Sequence, residues 1–279
     1  ASDVYKRQRI KSITGTSKIT KAMELVAISK LTKALDRITK CRPFYTELYS
    51  QLCDIAASST ASDSGYCQAR EVKKTCVIAI AGDRGLAGGY NNNLFKYCEE
   101  LLKDKNAAIL PIGKRALDHF VRRGYEIISD DYAVCEDVEV GDCFEISRLL
   151  TDMYMGGEVD EIYVVYTNFA SMLSQNPGSF KLLPLDSQMS SGTAPKRYML
   201  IEPSPAAVFD HIVPDSLAGL IWGAVCESHA SELAARRIAM ENATSNAEDI
   251  IADLQLKYNK ARKSSITQQI TEIVSGSQM

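Results

Sequence analysis

The sequence is poor in the residues from which most active sites are built. It holds three histidines, His119, His211 and His229, and no His-x-x-x-His or Cys-x-x-Cys spacing, which argues against the common metal sites. No Ser, Cys or His stands in an elbow or triad signature, so no nucleophile and base can be paired. The longest apolar run, near 217–226, is about ten residues against the ~20 of a membrane span, and the chain is therefore expected to be soluble. Cysteine is not scarce: eight thiols lie at 41, 53, 67, 76, 98, 135, 143 and 226. Their scatter over a chain long enough to bury a core points to reduced thiols in a reducing compartment. The sequon Asn242-Ala243-Thr244 falls in a helical pattern and is read as chance.

Proline and glycine are also missing over two long stretches. After Pro214 no proline follows up to Val274, and Gly219 and Gly223, both near the start, are the only glycines before Gly276. About 60 helical residues at ~1.5 Å rise span on the order of 90 Å, too long for an ordinary amphipathic helix lying on a globular core. An apolar stripe runs through Leu217, Leu220, Ile221, Ala224 and Val225, thins at Leu233 and Ala243, and continues through Ala247, Ile250, Leu254, Ala261, Ile266, Ile270 and Ile273. These three- and four-residue steps are the coiled-coil period. At the other end, residues 4–57 are disturbed only by Gly15 and Pro43, and Ile10, Ile13, Ile19, Met23, Val26, Leu31, Leu35 and Ile38 carry a second stripe. The two helices are expected to pair antiparallel, with the intervening residues forming a separate body.

Charge is uneven. Residues 1–42 hold eleven Lys/Arg against three acids, a net of +8 in a chain whose total is −3. Such a basic rod calls for a negative neighbour: nucleic acid, anionic lipid or an acidic protein surface. The lack of interleaved aromatics and the acidic balance of the whole chain count against nucleic acid.

The middle reads as an α/β body. Strands are expected at 76–81, 107–112, 125–128, 161–167, 180–185 and 198–201, and helices at 92–103, 114–123 and 144–155. Their alternation implies a largely parallel sheet covered on both faces. Residues 58–70 and 186–196 read as exposed loops. The glycine-rich loop at 82–91 invites a phosphate-binding interpretation, since such a loop can aim backbone N–H groups at an anion. Glycines at 82, 85, 88 and 89 do not make G-x-G-x-x-G, no Gly-Lys-Ser/Thr follows, and the second strand ends at Gly113-Lys114 without a ribose-binding acid. Tight turning and close packing are the alternative, with Asp83 and Arg84 as an exposed polar pair.

Several motifs in order carry a family resemblance. Ile10-Lys11-Ser12-Ile13, the run 18–27, the loop 82–91, Glu241-Asn242-Ala243-Thr244, Tyr258-Asn259-Lys260-Ala261-Arg262 and the stretch 266–276 together resemble the γ subunit of the F-type ATP synthase, over essentially the whole chain. The resemblance implies an α/β fold in which a long antiparallel coiled coil of the terminal helices (1–57 and 210–279) joins a Rossmann-like α/β domain (72–205). It implies a non-catalytic rotor shaft in one copy per complex, not a homo-oligomer, turned by the membrane ring of c subunits inside three α and three β subunits. Small central-stalk subunits of the δ/ε type are further implied partners, with no nucleic acid. No cofactor is implied on this chain, ATP/ADP and Mg belonging to the partner subunits.

The resemblance also assigns residues. Lys21 and Met23 fall where the family faces the β-subunit lever, with Arg236 close by. Arg262, Lys263 and Thr267 lie on the segment met by a polar catch loop, Ser12 being the N-terminal counterpart. Ile266, Ile270, Ile273 and Val274 are implied as an apolar bearing, and Glu202 as a foot on the membrane ring. Lys263 stands where glutamine is common, and Ala87 where cysteine is frequent. The cysteine pair of the light-regulated plastid form is missing, so no redox switch is implied. Together with its scattered cysteines, the start at Ala1 fits a processed mitochondrial protein on the matrix side of the inner membrane, a bacterial membrane being the alternative.

Overall fold

The structure is a computed structural model that describes residues 2–56, 64–68, 70–185 and 205–276. In chain order the elements are α1 (Ser2–Ala56), β1 (Thr75–Ile80), α2 (Tyr90–Leu101), β2 (Ala107–Ile112), α3 (Lys114–Arg123), β3 (Glu126–Ile127), α4 (Val140–Met155), β4 (Glu161–Phe169), β5 (Gln175–Leu183) and α5 (Pro205–Gly276). They divide into two compact units, Ala1–Ser29 with Arg236–Met279, and Lys30–Ala235.

The larger unit is built on one five-stranded sheet, ordered β3-β2-β1-β4-β5. β1 lies at its centre and pairs in parallel with β2 and β4. All six β1 residues are buried, which is why its sequence is a continuous apolar run instead of an alternation. Odd and even positions serve different faces. Val77, Ala79 and Ala81 meet Leu94, Phe95 and Cys98 of α2 and Ala116 and Phe120 of α3. Ile78 and Ile80 meet Ile146 and Leu150 of α4 and Leu217 and Ile221 of α5. Each fully buried Ile or Leu contributes roughly 1.5–3 kcal/mol of transfer free energy, so this two-sided core dominates the unit's stability.

The edges differ from expectation in instructive ways. β5 begins at Gln175, five residues before the expected start, because it pairs antiparallel with β4 from Phe169↔Gln175 onward. Gln, Asn, Pro and Gly have poor strand propensity, yet an outer edge tolerates Pro177. β3 shrinks to two residues. The strand expected at 198–201 lies outside the described residues. α4 starts at Val140, four residues early, where the Asp142 carboxylate accepts the Glu139 N–H at 2.7 Å.

Buried charge ties the strand starts together. Glu161 is 4% exposed and accepts from Thr75 Oγ1 at 2.7 Å and Lys105 Nζ at 2.7 Å, with Lys181 Nζ at 3.7 Å. Burial pushes its carboxyl up, but these donors outweigh burial and hold it below the usual glutamate range. Seven cysteines are free among the described residues. Burial pushes the thiols of Cys76, Cys98, Cys143 and Cys226 up to about 12, which leaves them as unreactive core residues.

Candidate functional site

The smaller unit is a pair of antiparallel helices, the first part of α1 against the last part of α5. Its seam is made mostly of small and polar side chains, Thr20, Glu24 and Ala27 on α1 and Thr244 and Ala247 on α5, with the long apolar Met240 buried beside them. Thr20 and Thr244 hydroxyls meet at 2.7 Å, and nearer the N-terminus Arg7 donates to the Tyr258 hydroxyl at 2.6 Å while lying 5.5 Å from its ring centroid. Glu24, 7% exposed, is held by Lys21 Nζ at 3.1 Å to each carboxylate oxygen.

This seam corrects the periodicity. Ile19, Val26 and Ile250 were expected inside and are 63%, 57% and 45% exposed. Their places are taken by Thr20, Ala27 and Ile251, each one residue further along. The physical reason is helix separation. Alanine and threonine let the backbones approach closely, so Ile19 and Val26 are displaced to the outer surface, where Leu25 and Leu256 join them at 58% and 73% exposure, whereas Ile250 yields to an identical neighbour.

The expected contact residues are spread along this unit and do not form a cluster. Ser12 and Lys21 are exposed on α1, and Met23 is half-buried beside the seam. Arg236 is half-buried on α5, whereas Arg262, Lys263 and Thr267 are exposed. The Thr267 hydroxyl donates back to the Lys263 carbonyl at 2.9 Å. The two cross-helix bonds place Ser12 level with about residue 252, some ten residues or ~15 Å below Arg262. Ile266, Ile270 and Ile273 are 44%, 56% and 71% exposed. Glu202 and the side chain of Val274 lie outside the described residues.

The glycine-rich loop belongs to the larger unit, and carboxylates of the chain itself stand at its β1 end. Asp83 was expected as an exposed partner of Arg84. It is half-buried and accepts the N–H groups of Cys135 at 2.7 Å, Glu136 at 3.1 Å and Lys114, the first residue of α3, at 3.3 Å. Gly82 is pressed against Glu232 of α5, and a Cβ there would lie 2.4 Å from Glu232 Oε1. Tyr90 donates to the Ser228 carbonyl at 2.9 Å, and Ser228 donates to the Ile80 carbonyl at 3.1 Å. The loop therefore seals the end of β1 onto α5. Asp83 and Glu232 mark the β1 end of the loop, whereas Arg115, Arg122 and Arg123 line the cleft beside Gly85 and Gly88. Sequence reasoning missed Glu232 because it sits in a helix pattern 150 residues from its glycine.

The histidines act separately. His119 stacks on Phe95 with centroids 4.1 Å apart and meets Glu99 at 2.9 Å. His229 is held below its usual range by burial, and its Nδ1 has no hydrogen-bond partner. Among the described residues no group of His, Cys, Asp or Glu could hold a metal ion, and no helix is long and apolar enough to cross a membrane.

Comparison with known proteins covers the whole length. The family model described as ATP synthase matches residues 5–278. The ATP synthase gamma chain of Alkaliphilus metalliredigens is 41% identical over 278 residues, covering 98% of this chain and 96% of the relative. The sodium ion specific ATP synthase gamma chain of Acetobacterium woodii is 37% identical over 98% of this chain and 96% of its own. Among solved structures, a chain of the Euglena gracilis mitochondrial ATP synthase OSCP/F1/c-ring assembly superposes with a TM-score of 0.67 at 18% identity, covering 98% of this chain and 93% of that one, a likeness of fold. The chain belongs to the ATP synthase gamma-chain family.

Proposed function

We propose that this chain is the central-stalk rotor of an F-type ATP synthase, coupling rotation of an ion-driven membrane ring to the conformational cycle of the three catalytic β subunits. The observation that carries this is family membership over 98% of the chain at 41% identity. The two-helix unit fits the role. Its faces differ in charge and in exposed apolar residues, so a ring of three subunits around it would meet three different surfaces. A ligand or a shaft shifts an equilibrium only through differential contact, and an uneven rod supplies that differential as it turns.

In this reading the chain is not itself catalytic, and ATP/ADP and Mg sit on the partner subunits. The lack of a G-x-G-x-x-G pattern or a Gly-Lys-Ser/Thr ending at the glycine loop supports the absence of a nucleotide site. Its partners are three α and three β subunits, small central-stalk subunits of the δ/ε type and a ring of c subunits, with one copy of this chain per complex. Lys21, Met23 and Arg236 face the β lever. Ser12, Arg262, Lys263 and Thr267 meet a catch loop, and Ile266, Ile270, Ile273 and Val274 form the bearing. Glu202 contacts the membrane ring.

The compartment is revised. The gamma-chain relatives compared are bacterial, and the mitochondrial likeness is of fold alone at 18% identity. The cytoplasmic side of a bacterial membrane therefore replaces the mitochondrial matrix. Since one relative is named as sodium ion specific, the ring is read as ion-driven without restriction to protons. The test is co-expression with the α and β subunits followed by native mass measurement. One copy on an α/β hexamer with ATPase activity is expected, and a symmetric homodimer that captures neither subunit overturns the proposal.

A further inference from the structure

Beside the crossing of α1 on α5, these two helices and α4 line a cleft of about 540 Å³, within the ~300–1,000 Å³ range of small-molecule sites. Its walls are apolar. Phe44, Tyr45 and Leu48 come from one face of α1, Phe144 from α4, and Trp222, the only tryptophan of the chain, from α5. Gly219 opens the floor: a Cβ there would lie 3.0 Å from Leu48 Cδ2 and 3.5 Å from Phe44 Cε1, so glycine lets both side chains rest against the helix. Phe44 is 65% exposed, which leaves its ring within reach of a ligand arriving from solvent.

Charge sits at one end of the cleft. Asp215, Gly219 and Trp222 follow each other at four- and three-residue steps on one face of α5, which puts the carboxylate about 10 Å along the helix from the indole. Asp215 is exposed and, among the described residues, has no hydrogen bond or ion pair. Two cations stand nearby, and both are engaged. Lys40, which lines the cleft from α1, donates to Asp36 at 2.6 Å. Arg37 lines the neighbouring cleft and lies 5.5 Å from the Trp222 ring centroid. The uncompensated charge on the cleft is therefore the Asp215 carboxylate.

Four aromatic rings and one accessible, unpaired carboxylate select an organic cation with an aromatic stem. An ammonium supplies the N–H donors that a carboxylate accepts, and an aryl group pairs edge to face or offset with the rings of the wall. An inorganic cation would leave the apolar walls unused, and an anion would meet Asp215. The slender stem of a lysine side chain would fill only a fraction of the volume, which favours a free amine over a side chain of a partner subunit. We propose that the cleft between α1, α4 and α5 binds an aryl-alkylammonium molecule, with its ammonium on Asp215 and its ring among Phe44, Phe144 and Trp222.

The test titrates the full chain with phenylbutylammonium and, as its neutral counterpart, phenylbutanol, read by the emission of Trp222, the chain's single tryptophan. Saturable binding of both is expected, the ammonium about fivefold tighter, which is the advantage an exposed ion pair can give. Asp215→Asn brings the ammonium to the affinity of the alcohol and leaves the alcohol unchanged. Phe44→Leu weakens both by about fivefold. Both residues are exposed, so each variant keeps the fold and the two probes can be compared on it. Absence of saturable binding, equal affinity for ammonium and alcohol in the parent, an ammonium preference kept in Asp215→Asn, or unchanged affinities in Phe44→Leu overturns the proposal. Each of these results leaves the rotor reading untouched, because no partner subunit takes part in the titration.

Discussion

Thr20 and Thr244 place their hydroxyl oxygens 2.7 Å apart across the seam of the two-helix unit. Thr20 also points at the Ser17 carbonyl at 3.0 Å and Thr244 at the Met240 carbonyl at 2.9 Å, so two hydroxyl protons serve three contacts. A polar pair inside a seam fixes register, because sliding either helix by one residue separates the partners. Thr244→Val keeps the shape and removes one hydroxyl. It is expected to cost about 0.5–1.5 kcal/mol in urea unfolding. Thr20→Val combined with it is expected to cost less than the sum of the single changes, since removing both partners leaves nothing unpaired. Strict additivity would mean that the contact contributes nothing.

Gly223→Ala tests the close crossing of α1 on α5. The added Cβ would sit 2.4 Å from Tyr45 Cδ1, a collision with the body of a ring that cannot swing aside alone. Overpacking of this kind costs typically 1–3 kcal/mol. Placed in a Tyr45→Leu background, the same substitution is expected to cost much less, by the same unfolding measurement. An equal cost in both backgrounds would remove the ring as the cause.

Acid sensitivity follows from Glu161. Its carboxyl is held below the usual range, because donation from Lys105 and Thr75 outweighs burial. In the pH interval between the unfolded glutamate value of about 4.3 and the lower folded one, the unfolded chain binds more protons. The stabilisation is therefore complete above about pH 4.3 and is lost as pH falls through the folded value. Glu161→Gln should lower stability at pH 7 and flatten the loss below pH 4.3, measured as unfolding midpoints across pH. A variant whose acid profile stays parallel to the parent would assign the loss to other carboxylates.

Why some of this was legible in the sequence and some was not comes down to which residues carry the signal. β1 and β2 were readable because β-branched and apolar runs bounded by Gly82 and Gly113 have few other uses. The two long helices were readable from missing glycine and proline. The seam was misplaced at Ile19 and Val26 because periodicity follows the largest apolar residues, whereas close helix packing selects the small ones beside them, and at Ile250 because the adjacent Ile251 is its equal in hydropathy. Asp83 was misread because its three N–H donors, at the start of α3 and in the loop before α4, lie 31 to 53 residues away. The aromatic cleft joins α1, α4 and α5, and no local pattern brings Phe44, Phe144 and Asp215 together. The residues proposed as contacts of the rod entered only through family motifs, since exposed residues such as Arg262 leave no imprint on hydropathy.

Arg262 and Lys263 separate folding from coupling. Both are exposed on α5, and exposed charges contribute little to stability. Arg262→Gln with Lys263→Gln should leave the melting temperature of the isolated chain within ~2 °C of the parent. If these charges meet a catch loop, the assembled enzyme carrying them should lose rotation-coupled ATP synthesis by more than it loses chain stability. Unchanged synthesis alongside a destabilised chain would reverse that assignment.

The three isoleucines near the end of α5 give the sharpest contrast between fold and assembly. Ile266, Ile270 and Ile273 are 44%, 56% and 71% exposed, and their four- and three-residue steps keep them on one side of the helix. Exposed in this way they return little transfer free energy to the isolated chain, so Ile266→Ser, Ile270→Ser and Ile273→Ser combined should leave its unfolding midpoint nearly unchanged. An apolar stripe of this kind is nevertheless costly to keep in water and is expected to be covered by a partner. In an assembly that surrounds the rod, three serines would forfeit the burial of three isoleucines, roughly 1.5–3 kcal/mol each at full burial. The chain should therefore dissociate from an α/β hexamer at lower denaturant or higher dilution than the parent, measured by native mass or by loss of the subunit on gel filtration. Equal retention, with the isolated chain equally stable, would show that this stripe bears on nothing in the complex and would withdraw the bearing assignment without touching the lever contacts proposed for Lys21 and Met23.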